Sequence, residues 1–140
     1  MTHADARDLT SRYVAVWNEP DAALRRKAIQ ELWTEDGAHI LQPPAEVRQA
    51  AARLGFASAA LEARGHDELH ARVTRAYQDF VAPGEFTFRA RENADGLHNV
   101  IKFNWEMVPS GGGEAAAAGL EILILGPDGR IEADYQFIES

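Results

Sequence analysis

The chain has 140 residues, a net charge of −8 at pH 7 and a pI near 5.0, with 46% hydrophobic and 26% charged residues. That length and balance fit one soluble globular domain over 1–140 and exclude a disordered or fibrous chain, while the acidic charge repels phosphate backbones and argues against a nucleic-acid partner. The absence of cysteine excludes disulfides, thiolate nucleophiles and Cys-ligated metals, and fits a reducing compartment.

The first residues, Met1-Thr2-His3-Ala4-Asp5-Ala6-Arg7-Asp8, carry acids where a signal peptide needs a basic start and an apolar run, and no later stretch reaches membrane-spanning length. The expectation is a cytoplasmic protein with no membrane partner. Thr2 and Asp5 form a weak capping box. Leu9, Tyr13, Val16 and Trp17 then recur at helical spacing, which predicts an amphipathic helix over 4–18 ended by Asn18-Glu19-Pro20. Asp21 is placed to cap a second helix, with Leu24, Ala28, Ile29 and Leu32 as its buried stripe and Arg25, Arg26, Lys27, Gln30 and Glu31 outward. Trp33 closes that helix. Thr34-Glu35-Asp36-Gly37 turns the chain into a short strand over 38–42, which Pro43-Pro44 ends because proline cannot donate to a ladder.

Val47, Ala51 and Leu54 suggest a helix over 45–54 stopped by Gly55, and the Ala-rich 56–65 reads equally as helix or ordered loop. A firmer helix spans 67–81, with Asp67 as N-cap and Leu69, Val73, Ala76, Tyr77 and Phe80 on one stripe, before Pro83-Gly84. The period then changes to two. Phe86, Phe88 and Ala90 alternate with polar residues, Asn93-Ala94-Asp95-Gly96 reads as a turn, and Leu97, Ile101, Phe103, Trp105 and Met107 form the apolar phase of the return strand. Pro109 to Gly113 is a flexible connection. In 119–125 one phase is wholly apolar, and the other is apolar except for Glu121, so this is a central strand with a carboxylate inside it. A buried carboxylate is paired, hydrogen-bonded or protonated. Gly126-Pro127-Asp128-Gly129 is a turn into a last strand over 131–138, in which Glu132, Asp134 and Gln136 alternate with Ile131, Ala133, Tyr135 and Phe137.

Helices first and a meander of strands afterwards predicts an α+β fold, a cone-shaped, curved antiparallel sheet packed by the N-terminal and central helices. The open end of such a cone is a pocket. The element order, with Tyr13-Val-Ala-Val-Trp-Asn18, Leu32-Trp-Thr-Glu-Asp-Gly-Ala38, Phe103-Asn-Trp-Glu-Met107 and Asp128-Gly-Arg-Ile131, resembles the SnoaL-like branch of the nuclear transport factor 2-like superfamily over nearly the whole chain. That superfamily, whose fold is also called cystatin-like, includes ketosteroid isomerase, limonene epoxide hydrolase, scytalone dehydratase, polyketide cyclases and members without catalysis, so fold alone does not assign function.

The resemblance to ketosteroid isomerase implies a donor role for Tyr13 on the first helix and places Glu121 where that enzyme has an oxyanion-hole acid. It places Leu41 at the general-base position, where leucine moves no proton; His39, on the same side of the strand, is the substitute. Against limonene epoxide hydrolase, Gln136 falls where a catalytic aspartate is expected. The candidate catalytic set is therefore Tyr13, His39, Glu121 and Asp134, with Tyr13 and a protonated Glu121 as donors and His39 or Asp134 as proton shuttle. Trp17, Trp33, Phe80, Phe103, Trp105 and Gln136 are the candidate ligand pocket. The plainer alternative makes Tyr13 a core aromatic and pairs Glu121 with Lys102 or Arg89.

His66 and His70 share a helix face, but Asp67 stands where a zinc-protease motif has Glu and no third ligand is near, so no metal is expected. On the last strand, the alignment turns Asp134 and Gln136 into the cone, and hydrophobic phase alone turns them out. The alignment is preferred, because a homodimer on the outer sheet face covers Tyr135 and Phe137. The sequence thus points to a small-molecule-binding protein for an apolar ligand or, if catalytic, a cofactor-free isomerase, dehydratase, cyclase or hydrolase acting on a carbonyl or epoxide. The alternative is a non-catalytic dimerisation or scaffold module with a filled cone.

Overall fold

In a computed structural model, which describes residues 3–56 and 60–139, helix α1 (His3–Asn18) lies along the concave face of a seven-stranded sheet. Ala6, Leu9, Tyr13, Val14 and Val16 form its buried stripe. Its last residue is pinned to the sheet by a reciprocal pair: Asn18 Nδ2 donates to the Phe88 carbonyl at 2.7 Å, and the Phe88 N–H donates to Asn18 Oδ1 at 2.9 Å. Thr2 of the expected capping box lies outside the described residues.

Asp21 caps α2 (Ala22–Leu32), accepting from the Leu24 N–H at 3.0 Å. The outward assignment of Arg25 is corrected, because it is 2% exposed and Leu24 is 54% exposed. Its guanidinium satisfies the carbonyls of Glu19 and Pro20, bonds Thr74 Oγ1 at 3.0 Å and lies over the Tyr77 ring. A buried arginine is tolerated where its planar fork finds that many partners.

Strand β1 (Trp33–Leu41) starts earlier than the sequence suggested and carries an irregularity between Trp33 and Ala38. After Pro43-Pro44 comes α3 (Ala45–Arg53), none of whose residues is buried. The Ala-rich segment contains a strand, β2 (Leu61–Arg64), paired to β1. Helix α4 (Gly65–Ala76) is followed by a π-helical turn over Tyr77–Val81. Asp67 is not its N-cap, which is Arg64, and instead pairs with Arg26 at 2.6 Å.

The meander is β3 (Phe86–Ala90), β4 (Asp95–Leu97), β5 (Val100–Pro109), β6 (Ala117–Leu125) and β7 (Ile131–Ile138). The hairpin turn lies at His98-Asn99, with His98 at φ 55°, so Asp95 and Gly96 are strand and Leu97 is 80% exposed. The sheet runs β2-β1-β7-β6-β5-β3, with β4 also on β5. It is mixed where an antiparallel sheet was expected, because β1 and β7 run parallel. The register shift between Ile124/Ala133 and Leu125/Ile131 is a bulge that leaves Glu132 unpaired. It settles the phase of β7, since Ile131 and Asp134, an odd number of residues apart, are both buried while Tyr135 and Phe137 face outward.

Candidate functional site

The five polar members of the site arrive on four elements. Tyr13 comes from the middle of α1, His39 from β1, Glu121 from β6, and Asp134 and Gln136 from β7. Register aligns them on the concave face, since His39 is paired with Asp134 across β1 and β7 and Glu121 with Gln136 across β6 and β7. All but Gln136 are buried.

Tyr13 Oη lies 2.5 Å from Asp134 Oδ2 and 3.1 Å from Glu121 Oε2. A phenol has one proton, and the shorter contact takes it. The longer contact is a hydrogen bond only if Glu121 supplies the proton. Burial first, and then the adjacent Asp134, hold Glu121 well above the usual carboxylate range, so Glu121 is the protonated carboxyl. Trp105 Nε1 donates to its other oxygen at 2.9 Å. Burial and the two carboxyls likewise push the Tyr13 phenol up, which keeps it a donor. The result is a directed chain from Glu121 through Tyr13 to Asp134.

Gly119 makes the Trp105 contact possible. It faces Trp105 across β5 and β6, and a Cβ there would meet the indole Cζ2 at 2.4 Å and Cε2 at 2.5 Å. Only a bare backbone lets the ring lie flat enough for its N–H to reach Glu121.

His39 belongs to a second chain. Arg72, from α4, donates through Nη1 to His39 Nδ1 at 3.0 Å and to the carbonyls of His39 and Leu61 at 3.0 and 3.2 Å. Guanidinium only donates, so Nδ1 is an acceptor and the imidazole proton sits on Nε2. Nε2 is 2.9 Å from Gln136 Oε1 and 4.0 Å from both Glu121 Oε2 and Asp134 Oδ2. Burial lowers the His39 pKa; Asp134 opposes this and Arg72 reinforces it, leaving a neutral ring. As a general base His39 is poorly placed, because Arg72 occupies its lone pair.

The ligating atoms of His39, Glu121 and Asp134 lie within 4.8 Å of one another, the spacing of a metal-binding triad. The donor set fits an ion badly. The histidine nitrogen facing the carboxyls carries the proton, and Tyr13 and Trp105 already occupy Asp134 Oδ2 and both Glu121 oxygens, which leaves a single carboxyl oxygen, Asp134 Oδ1, for an ion.

Above the site is a cavity of about 740 Å³ whose wall includes Tyr13, Trp17, His39, Phe80, Trp105, Glu121 and Gln136. Leu41, Phe88 and Met107 add apolar surface, and Arg48, Arg72, Arg75 and Asp79 lie around it. Asp134 is sealed behind Tyr13, fully buried, and its Oδ1 has no hydrogen-bond partner among the described residues. Trp33 and Phe103 do not line the cavity. They are core, each with its ring centroid 5.5 Å from that of Tyr13, and they brace it from behind. Glu121 pairs with neither Lys102 nor Arg89; Lys102 projects from the opposite face, and Arg89 bonds Glu106. Sequence reasoning missed Arg72 and Gly119. Arg72 flanks the Leu69/Val73 stripe as any solvated arginine would, and Gly119 carries no sign of the indole it faces.

No protein-family model and no curated protein matches the chain. Solved structures establish the architecture: the chain has the fold of SnoaL-like, nuclear transport factor 2-like proteins. A SnoaL-like family protein from Agrobacterium tumefaciens, described as a candidate isomerase, aligns over 100% of both chains with 24% identity and a TM-score of 0.77. A SnoaL-like protein of unknown function from Burkholderia thailandensis aligns over 100% of this chain and 99% of its own with 14% identity and a TM-score of 0.68. A candidate polyketide cyclase from Sinorhizobium meliloti aligns over 98% of this chain and 100% of its own with 10% identity and a TM-score of 0.60. Among the described residues no helix is long and apolar enough to cross a membrane.

Proposed function

We propose that the cavity holds a small, largely apolar carbonyl compound, and that Glu121, Tyr13 and Asp134 move a proton on and off it without a cofactor, as an isomerase does. The observation carrying this reading is the Tyr13 hydroxyl between two buried carboxyls, one bordering the cavity and one sealed from it. The Glu121 O–H proton passes to Tyr13 Oη as the Tyr13 proton passes to Asp134 Oδ2. The negative charge thereby moves from Asp134 to Glu121, with no proton gained or lost. Glu121, now a carboxylate on an apolar wall, takes a proton from the carbon beside the carbonyl and returns it to another carbon. A group that both gives and takes the same proton suits isomerisation better than hydrolysis. A filled cone, which the scaffold alternative requires, is at odds with a cavity of about 740 Å³.

Deuterium uptake tests the reading. Ring ketones such as 2-tetralone and 2-decalone, incubated with the protein in D2O and followed by proton NMR, should exchange faster than in buffer. Glu121→Gln should reduce the enzymatic rate by about 10²–10⁴-fold, the range of general acid–base catalysis. Exchange at the buffer rate with wild type, or at the wild-type rate with Glu121→Gln, refutes it.

The assembly belongs to the same proposal: a second copy covers the outer sheet face. Helices α1, α2 and α4 pack against the other side or one another, leaving Leu120, Ile122 and Ile124 beside Tyr135 and Phe137, which are 39% and 43% exposed. At one margin Arg89 and Arg91 pair with Glu106, and Arg91 with Glu139. That margin is balanced in charge, so a two-fold copy meets no repulsion there despite the chain's net charge of −8.

A further inference from the structure

The proton on His39 Nε2 has a consequence for Gln136. A nitrogen that must donate requires an acceptor, so the Gln136 amide presents Oε1 to His39, and its NH2 group points away from the ring. That assignment comes from Arg72, which has no acceptor atom to offer Nδ1. Gln136 Nε2 makes no hydrogen bond to any described residue, and the half-buried side chain lines the cavity beside its cross-strand neighbour Glu121. Glutamine alone turns either end of its amide to a ligand at similar cost. Here the relay from Arg72 through His39 removes that freedom.

We infer that Arg72 is a positioning residue that, through His39, holds Gln136 as an obligate hydrogen-bond donor, so that the ligand presents an acceptor oxygen, of carbonyl type, beside Gln136. This rests on the reading that the cavity holds an apolar carbonyl compound and adds what selects it. Register places the acceptor beside Glu121, where proton abstraction would build negative charge on that oxygen, and a donor oriented before the reaction costs nothing to reorganise. It also explains the strand position itself. Where the resemblance to limonene epoxide hydrolase places an aspartate, an amide held as donor stabilises oxygen charge that a carboxylate would repel.

Two measurements separate the relay from the ligand reading. Two-bond ¹H–¹⁵N correlation spectra of the wild-type imidazoles at pH 7, with the His39 signals assigned by their loss in His39→Asn, should show His39 as the neutral Nε2–H form. In Arg72→Met the ring should become a mixture of tautomers, and Arg72→Lys, which keeps a donor, should restore the Nε2–H form. The other tautomer, or a charged ring, in wild type overturns the relay whatever binds.

The second measurement compares 2-acetylnaphthalene with 2-isopropenylnaphthalene, which replaces the carbonyl oxygen by CH2. Wild type should favour the ketone by roughly tenfold, the worth of one hydrogen bond. Gln136→Leu should abolish that ratio and Arg72→Met should shrink it, with Arg72→Lys recovering most of it. A merely structural role for Arg72 would weaken both probes equally, and an unchanged ratio in Arg72→Met overturns the inference. If neither probe binds wild type, the apolar-carbonyl reading fails and the ligand half of the inference fails with it, while the tautomer spectra still judge the relay.

Discussion

Glu121→Gln should make the protein's stability less sensitive to pH, and the size of the effect follows from the site. In the folded chain Glu121 is protonated, held so by burial and by Asp134. In the unfolded chain it titrates near ~4.3. The folded state therefore binds a proton that the unfolded state releases, so this contribution is complete below about pH 4.3 and is lost as pH rises toward the folded pKa. Between pH 5 and 7 the loss is up to about 2.7 kcal/mol, at about 1.36 kcal/mol per pH unit. His39 works in the other direction. Its pKa is lowered by burial, so its contribution is complete above about 6.5 and lost on acidification. The two slopes partly cancel in wild type, but His39 is common to both proteins and drops out of the difference. The groups facing Glu121 are Tyr13, Asp134 and His39, with Arg72 behind the imidazole. Urea unfolding followed by tryptophan fluorescence at pH 5, 6 and 7 gives the stability of each protein. The variant should gain on wild type steadily as pH rises, with equal m-values. A difference constant to within about 0.5 kcal/mol would mean that Glu121 ionises normally, and the directed chain from Glu121 to Asp134 would not exist.

Gly119→Ala should cost about 2–5 kcal/mol, from crowding against the Trp105 ring together with the lost bond to Glu121. In a Trp105→Phe background the same change should cost much less, and equal costs in the two backgrounds would mean that glycine is not there to seat the indole. Ile122→Asp, in the middle of the outer face, should turn a wild-type dimer into a monomer in sedimentation velocity while leaving the circular dichroism unchanged. A wild-type monomer at all concentrations, or a dimer unaffected by the charge, rules out the second copy.

The sequence foretold most of the architecture because the elements carrying it are the periodic ones. The α1 stripe, the Asp21 cap, the Pro43-Pro44 stop and the switch from helical to alternating period at Phe86 are local, and local rules read them. The errors fall where a distant partner overrides the local signal. Arg25 looks like a solvent residue until the carbonyls after α1 and the Tyr77 ring enclose it. Residues 61–64 lack a strand pattern of their own and become a strand because β1 offers an edge. The parallel pairing of β1 with β7 joins the first and last strands of the chain, which no window of sequence spans.

The site divides along the same line. Glu121 was visible as an acid inside an apolar strand, and Tyr13 as a polar ring on a buried stripe. Their meeting with Asp134 depends on the bulge at Glu132, which moves the rest of β7 by one residue and brings Asp134 and Gln136 inward against the hydrophobic phase of Ile131. Without that bulge Tyr135 and Phe137 would fill the cone and the acids would face out. One unpaired residue at the start of a strand therefore decides whether the same sequence encloses a cavity with a polar wall or a solid core. Arg72 follows from this placement. Once His39 and Gln136 lie side by side inside, one of them must be told which end donates, and a cation with only donors to offer gives that instruction.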